Sequence, residues 1–256
     1  MTLSNKTPIN PFKDISDLRE EVTKYINAHK TVIHSHAKRL SDYFEMCCFN
    51  YIVRFYENKG YSVQVENLQD KKYRYKLTTA GYASRFSYFS ASKTISEKGN
   101  VQNIKVEIRH NIAVQSKHQS DIFTTPDIVV VMPDKIVEDN KFYFRNRVLS
   151  YIPNSEVLTF CEAKQFTPFP ELLFSFIGTV NELRDELLKN NIQIIKTDHI
   201  APSLMISGKG NQHTDRIRDS LQQRYWINIL FDLFQSGVNT FSKRKINKLR
   251  GLKHKN

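Results

Sequence analysis

A continuous run of apolar residues constrains the fold of this chain more than any other feature. The run opens at Asp127, continues as Ile-Val-Val-Val-Met to residue 132, and is bounded by Pro126 and Pro133. A strand that is apolar on both of its faces is buried on both faces, as in a sheet that is covered on two sides. The run therefore predicts an α/β protein in which helices flank a central sheet.

Apolar periodicity divides the remaining sequence into helices and strands. Helices are predicted over residues 14–28, 41–58, 170–187 and 214–235, and strands over 61–65, 73–77, 104–114, 142–152, 157–164 and 203–207. This order predicts a central mixed sheet, with residues 70–120 forming a β-hairpin insertion. We expect an N-terminal helical extension over residues 1–40, a main domain over 41–241 and a basic tail over 242–256.

Basic residues outnumber acidic ones, with 38 Lys and Arg against 26 Asp and Glu, which gives a net charge of +12. Seven of the basic residues follow Ser242, where the chain reads KRKINKLRGLKHKN without an acidic residue. Such charge favours a polyanionic partner, nucleic acid first and an acidic membrane surface second. We therefore expect Lys243, Arg244 and Lys245 to contact DNA, unless Leu249 and Leu252 instead pin a short helix to the domain or to a second subunit.

Several classes of protein are excluded by what the sequence lacks. No apolar run reaches the roughly 18 residues that a membrane span needs, and the N-terminal residues lack the apolar segment of a secretory signal. The three cysteines lack metal-site spacing, which predicts reduced thiols in the core of a cytoplasmic protein. His34 and His36 are two positions apart, so on a helix they diverge and do not form a metal pair.

Two acidic residues fall on the two strands that are predicted to be most buried. Asp127 opens one strand, and Glu162 lies near the end of the other with Lys164 two residues later, on the same face. A buried carboxylate is costly unless it meets a cation. Two carboxylates and a lysine on neighbouring strands can share a divalent metal ion, and they can also form a purely structural salt bridge. The same acid-x-Lys spacing recurs at Glu57, Asp70 and Asp139, which fall in a predicted helix or in polar turns.

These residues resemble the motifs of the PD-(D/E)XK nuclease superfamily, which shares the fold of restriction endonucleases. The resemblance rests on the motifs Thr125–Ile128 and Phe160–Lys164. It also rests on an order of elements that is similar to the family's αβββαβ core. Glu45, on the inward face of the first predicted core helix, matches an acidic residue that many members direct at the metal site. Residues 70–120 have no counterpart in the family pattern.

The resemblance implies a Mg²⁺-dependent endonuclease that hydrolyses phosphodiester bonds of double-stranded DNA, with Mn²⁺ as a possible substitute. It implies that Asp127, Glu162, the Ala163 carbonyl and Glu45 hold metal, and that Lys164 orients the attacking water or stabilises the phosphorane. The setting that it implies is prokaryotic restriction or anti-phage defence. Double-strand cleavage normally needs two active sites, so a homodimer or larger assembly is expected. A structure-specific repair or recombination nuclease and a non-catalytic DNA-binding protein remain alternatives.

A few further residues are candidates for contacts with nucleic acid. Gln165 directly follows Lys164 and could contact DNA or hold the attacking water. Lys209 lies in a Gly-Lys-Gly turn that precedes a predicted helix but lacks the spacing of a nucleotide-binding P-loop. His118 and Asp121 could assist the site, or they are ordinary polar loop residues. The stretch 73–89 alternates aromatic and basic residues, which suits either a nucleic-acid surface or the face of a hairpin.

Overall fold

The computed structural model describes residues 32–33, 40–97, 100–142, 147–189, 198–233 and 249–254. The predicted helix over residues 14–28 lies outside the described residues, as do His34, His36 and the three basic residues 243–245. The helices are α1 Leu40–Asn58, α2 Pro170–Arg184 and α3 Gln212–Arg224. The strands are β1 Val32–Ile33, β2 Ser62–Glu66, β3 Lys72–Tyr73, β4 Tyr88–Glu97, β5 Asn100–His110, β6 Ala113–Gln115, β7 Phe123–Thr124, β8 Ile128–Val131, β9 Val137–Phe142, β10 Arg147–Ile152, β11 Val157–Lys164, β12 His199–Ile200, β13 Ser203–Ile206, β14 Asn228–Leu230 and β15 Gly251–Leu252. Within these ranges, no helix is both long and apolar enough to cross a membrane.

A seven-stranded mixed sheet forms the centre of the fold, as predicted. Its strand order is β14-β13-β11-β8-β5-β4-β2. Neighbouring strands among β2, β4, β5, β8 and β11 pair antiparallel. Strand β13 runs parallel to β11, and β14 runs parallel to β13. Strands β7, β6, β10 and β9 form a second sheet, and β1-β3 and β12-β15 form two short pairs.

Helices cover the central sheet on both faces, which confirms the prediction drawn from the β-branched run. Ile128 and Val130 of β8 pack in the same apolar cluster as α1. Val129 and Val131 pack in a second cluster, together with side chains of α2 and with Leu221 of α3. All four β8 side chains are fully buried. A strand that contributes to two cores has no polar face, and this explains the run of valines.

The three cysteines belong to the core between α1 and the sheet. Cys47 and Cys48 lie on α1 and Cys161 lies on β11, and all three are free and buried, as predicted. Burial raises the pKa of the Cys48 and Cys161 thiols well above the ordinary value, and nearby charges raise it further for Cys48. The thiols therefore stay protonated in the folded protein.

The predicted insertion at 70–120 is part of the central sheet, because its hairpin β4–β5 pairs with both β2 and β8. The predicted strand over 73–77 is reduced to Lys72–Tyr73. Tyr73, Tyr75 and Phe89 are buried and pack on one another, with Tyr73 at 4.5 Å from Tyr75 and 5.3 Å from Phe89 between ring centroids. Lys76 is also buried, and its ammonium donates to three backbone carbonyls. These side chains are core residues and cannot form a nucleic-acid surface.

The predicted helix over 214–235 is wrong in its second half, because α3 ends at Arg224 and β14 follows. Ile227 and Ile229 are buried at the edge of the central sheet, where β14 pairs in parallel with β13. β-Branched residues suit a pleated, buried strand better than a helix. A strand partner at the sheet edge therefore decides the conformation of this segment.

Residues 249–254, called the C-terminal clip below, pack on the main domain. Their strand β15 pairs antiparallel with β12. The Asn228 side chain donates to the Arg250 carbonyl at 3.1 Å and accepts from the Arg250 N–H at 2.9 Å. The Trp226 indole N–H donates to the Gly251 carbonyl at 2.7 Å. The described part of the basic tail is therefore anchored to the domain, through a strand and not through the short helix that we considered.

Candidate active site

The backbone pairing between β8 and β11 ends just before Asp127, and the Asp127 side chain takes the place of the next backbone acceptor for β11. The last paired residues are Ile128 and Cys161, and Pro126 has no N–H with which to extend the ladder. The next donor on this edge of β11, the Ala163 N–H, donates to Asp127 Oδ2 at 2.7 Å. The carboxylate thus replaces a backbone acceptor, and this holds Asp127 in the plane of the sheet.

Asp127, Glu162 and Lys164 meet where this pairing ends. Lys164 Nζ lies 2.9 Å from Asp127 Oδ2 and 2.8 Å from Glu162 Oε2. The two carboxylate side chains are 11% and 13% exposed, and the Lys164 side chain is 30% exposed. The structure therefore brings together the three residues that were singled out on the buried strands, with the lysine on the side that solvent reaches.

The charges of this group are out of balance, because two carboxylates share one ammonium. Burial, together with the charge of Asp127, raises the pKa of Glu162 to about 7, against the opposing effect of Lys164. Burial disfavours the charged form of Lys164, but the two carboxylates outweigh it and raise the pKa of the lysine. A group with excess negative charge in a low-dielectric site favours a proton or a second cation.

This imbalance predicts a pH dependence of stability. Between the ordinary pKa of 4.5 and the folded pKa of about 7, Glu162 keeps its proton only in the folded state. The free energy of unfolding should therefore fall as pH rises through this window, and Lys164 stays charged throughout it. In the Glu162→Gln variant, the decrease in the free energy of unfolding over this window should be smaller by about 1–3 kcal/mol. Denaturant unfolding at pH 5 and pH 8 in EDTA measures the free energy of unfolding of both proteins. An equal change between the two pH values in both proteins would contradict the raised pKa of Glu162.

The oxygen atoms of this group suit a hard divalent cation. Along a strand, the N–H and C=O of one residue face the same edge, so the Ala163 carbonyl faces the same side as its N–H, toward Asp127. With one oxygen each from Asp127 and Glu162, this gives three oxygen donors, the ligand type that Mg²⁺ prefers. Among the residues that the structure describes, no group of three or more His, Cys, Asp or Glu side chains is placed to hold a metal ion. The Lys164 ammonium takes the place of a cation between the two carboxylates.

Glu45 faces a histidine that the sequence interpretation missed. Its Oε2 lies 3.7 Å from Nε2 of His110, the last residue of β5. Among the described residues, Glu45 does not form a metal-binding group with Asp127 and Glu162. His110 is buried, its Nδ1 lies 2.7 Å from the Lys76 carbonyl oxygen, and its Nε2 has no hydrogen-bond partner among the described residues. Burial lowers the pKa of His110, while the hydrogen bond at the Lys76 carbonyl and the charge of Asp127 oppose this effect. The predicted role of Glu45 in metal binding stays a prediction.

The signal for His110 is the register of β5 on β8, in which His110 is paired with Ile128, directly beside Asp127. Sequence periodicity indicates that a strand exists but does not give the register of its pairing with a neighbour. Without that register, nothing marks His110 as a neighbour of the acidic group.

Gln165 and Lys209, predicted to contact nucleic acid, lie at the same end of the sheet as the Asp127 group. Gln165 directly follows β11, and Lys209 is exposed on the turn after β13. The Ser207 N–H donates to the Lys164 carbonyl at 3.1 Å, so the ends of these two parallel strands are tied together. Both residues therefore lie at the end of the sheet at which Lys164 lies.

His118 and Asp121 belong to a loop that packs on α2. His118 Nε2 lies 2.9 Å from the carbonyl oxygen of Asn181, in the last turns of that helix. Asp121 is exposed in the same loop. The contact of His118 supports its interpretation as a polar residue that fixes a loop.

Comparison of the chain with protein-family models, with curated proteins and with solved structures finds no match.

Proposed function

We propose that this protein is a metal-dependent nuclease of the PD-(D/E)XK type that hydrolyses phosphodiester bonds in DNA. The observation that carries the proposal is the convergence of Asp127, Glu162 and Lys164 where the β8–β11 ladder ends. Paired carboxylates that can bind a divalent metal ion, beside a fixed positive charge, are the residue types that phosphodiester hydrolysis uses. The restriction or defence setting and the oligomeric state stay predictions.

The topology around the group supports the same proposal. Helix α1 comes first, and the sheet contains the antiparallel succession β5, β8 and β11. Helix α2 then leads to β13, which lies beside β11 and parallel to it. This order is similar to the αβββαβ order that the resemblance implies, although β2 and β4 come between α1 and β5 in the chain and extend the sheet on one side, as β14 does on the other.

In this proposal, Asp127, Glu162 and the Ala163 carbonyl would hold Mg²⁺ or Mn²⁺. When bound, the ion would lower the pKa of a water molecule and neutralise charge on the phosphate. Lys164 supplies a positive charge that its two carboxylate partners hold in position, and a fixed charge beside a phosphate stabilises the negative charge of the transition state. The net charge of +12 attracts the polyanionic substrate at long range.

Nicking of a supercoiled plasmid tests the proposal directly. We expect conversion to open-circular and linear DNA with Mg²⁺ or Mn²⁺, and none in EDTA. Ca²⁺ should support binding without turnover, because it is larger and less demanding in its coordination geometry. Full activity in EDTA would exclude the metal-dependent mechanism, and preferential cleavage of a labelled RNA would change the substrate from DNA to RNA.

A second candidate function is DNA binding without catalysis, with the acidic group as a structural ion-pair cluster. The bridging position of Lys164 favours it, because one ammonium pairs with both carboxylates. This candidate predicts DNA binding that is equal in Mg²⁺ and in EDTA, with no nicking in any metal. The same plasmid assay, combined with a binding measurement, therefore separates the two functions.

A further inference from the structure

Three phenylalanines are exposed after the strand that carries Glu162 and Lys164, two in the loop that follows it and one on α2. Phe166 and Phe169 are each 44% exposed and Phe174 is 52% exposed. Among the described residues, these are the phenylalanines with exposed side chains. Exposed apolar surface that is gathered in one place commonly marks a binding site.

The loop that carries Phe166 is held firmly against the end of β13. A Cβ atom on Gly208 would lie 2.6 Å from the Phe166 carbonyl oxygen and 2.7 Å from the Thr167 Cα, so only glycine permits this approach. The Gly208 N–H also donates to the Phe166 carbonyl at 3.2 Å. The loop is thereby fixed at the end of β11, and its first phenylalanine follows Lys164 by two residues.

The Phe166 and Phe169 rings pack on each other, and a basic residue lies on the turn that contacts their loop. The ring centroids of Phe166 and Phe169 are 5.9 Å apart and their planes differ by 32°. Lys209, on the turn that contacts the loop, is exposed. Aromatic rings next to basic side chains are the means by which proteins bind single-stranded nucleic acid, with bases stacked on rings and phosphates beside the charges.

A base can stack on such a ring only if it has left the base stack of a duplex. In paired DNA both faces of every internal base are covered by its neighbours, and proteins that act on a base must first extrude it or bind single strands. The exposed surface therefore fits unpaired bases better than a continuous duplex.

We propose that Phe166 and Phe169 stack on unpaired bases of the nucleic-acid substrate, next to the position where the strand is cut. The substrate class is then DNA with single-stranded or unpaired nucleotides near the scissile bond. The inference rests on the proposed function, because the Asp127 group is taken as the cutting site. Stacking itself needs no cleavage, so the two ideas can be tested apart.

The test measures binding in EDTA, where no cutting is expected, with three fluorescein-labelled DNAs of equal length: a duplex, a duplex with a central unpaired bubble, and a single strand. Wild-type protein should bind the bubble and the single strand at least about tenfold more tightly than the duplex. The F166A/F169A double variant should lose about tenfold or more in affinity for those two DNAs, as expected when base stacking on aromatic rings is removed. Its affinity for the duplex should stay the same.

Two variants control for trivial effects. I122A removes an equally exposed side chain, at 44%, from a loop on another part of the molecule, and it should bind all three DNAs as wild type does. F166Y/F169Y keeps the rings and should retain the preference for unpaired DNA. Thermal unfolding of each variant checks that the fold is intact.

Equal binding of the bubble and the duplex by wild-type protein would overturn the inference, and so would an unaltered preference in F166A/F169A. If F166A/F169A altered the oligomeric state while DNA binding stayed the same, the rings would belong to a contact between copies of the chain. That result would also overturn the inference. Absence of cleavage of the plasmid, the bubble DNA and the single strand alike in Mg²⁺ or Mn²⁺ would count against the proposed function alone, because the binding comparison does not depend on cutting.

Discussion

Replacing Glu162→Gln is expected to abolish metal-dependent cleavage while leaving the fold intact. The amide keeps the volume of the side chain but removes one of the two negative charges that Lys164 bridges. Loss of the ligand charge should lower the turnover rate by about 10³-fold or more, at least as much as removal of a single transition-state hydrogen bond. Because burial and Asp127 already oppose ionisation of Glu162, the neutral variant should be no less stable than wild type near pH 8.

Plasmid nicking and DNA binding should be measured side by side on this variant. D127N should behave in the same way, and K164A should lose about 10²-fold in rate because it removes only the fixed positive charge. A matched control is available in E57Q, since Glu57 and Lys59 repeat the acid-x-Lys spacing on the surface of α1. Wild-type cutting by E162Q, or equal losses in E57Q, would reject the assignment of the site.

Truncation after Phe241 is expected to destabilise the protein strongly, because it removes the C-terminal clip. The truncated chain loses β15 and the buried Leu252. It also leaves the Trp226 indole N–H and the backbone N–H groups of Asp198 and Ala201 without their acceptors. An unsatisfied N–H costs about 1–3 kcal/mol when it is buried, as at Ala201, and less at the half-buried Trp226 and Asp198. With the lost burial of Leu252, a loss on the order of 5 kcal/mol is expected. For a chain of this size, that corresponds to a fall in Tm of roughly 10–20 °C.

The truncation also bears on the prediction that the basic tail contacts DNA, but it removes the basic residues and the packed C-terminal clip together. A control variant must therefore remove the charges alone. The Arg250 guanidinium donates to the carbonyls of Gln222 and Tyr225, so this tail charge contacts the protein. The control is the full-length triple variant K243Q/R244Q/K245Q, which removes three charges and keeps the clip. If these residues bind phosphates, the triple variant should flatten the log–log salt dependence of DNA binding by about 0.9 per lost contact. An unaltered salt slope in the triple variant, together with a lower Tm in the truncated protein, would leave the tail with a structural role alone.

The parts of the fold that the sequence predicts well are those with only one physical solution. The valines of β8 are apolar on both faces, so a strand between two layers is the arrangement that buries them all. Glu162 and Lys164 are two apart on a strand and must share a face, and their ion pair confirms it. The shared face of Glu162 and Lys164 therefore follows from the two-residue repeat of a strand, whereas their meeting with Asp127 depends on the register of β8 on β11.

The parts that were mispredicted depend on partners that are distant in sequence. The segment after Arg224 fits a helix by its own periodicity, but β13 offers it an open edge, and it becomes β14. The alternation of Tyr73 and Tyr75 with basic residues left a surface and a hairpin face open, and the packing of Tyr73 on Phe89 and on Tyr75 places both tyrosines in the core. His110 was missed for the same reason, because strand register is a property of two segments and not of one.

The three buried thiols provide a built-in reporter of how the core opens. Cys47 and Cys48 on α1 pack in the same cluster as Cys161 on β11, and thiols buried in a core are not accessible to alkylating reagents. The labelling rate in native buffer therefore measures how often α1 leaves the sheet, without any introduced probe. If all three sites label at one common rate, the helix and the strand separate in a single cooperative event. If the α1 pair labels faster than Cys161, the helix is released first, and the opening free energy of that layer can be obtained from the rate.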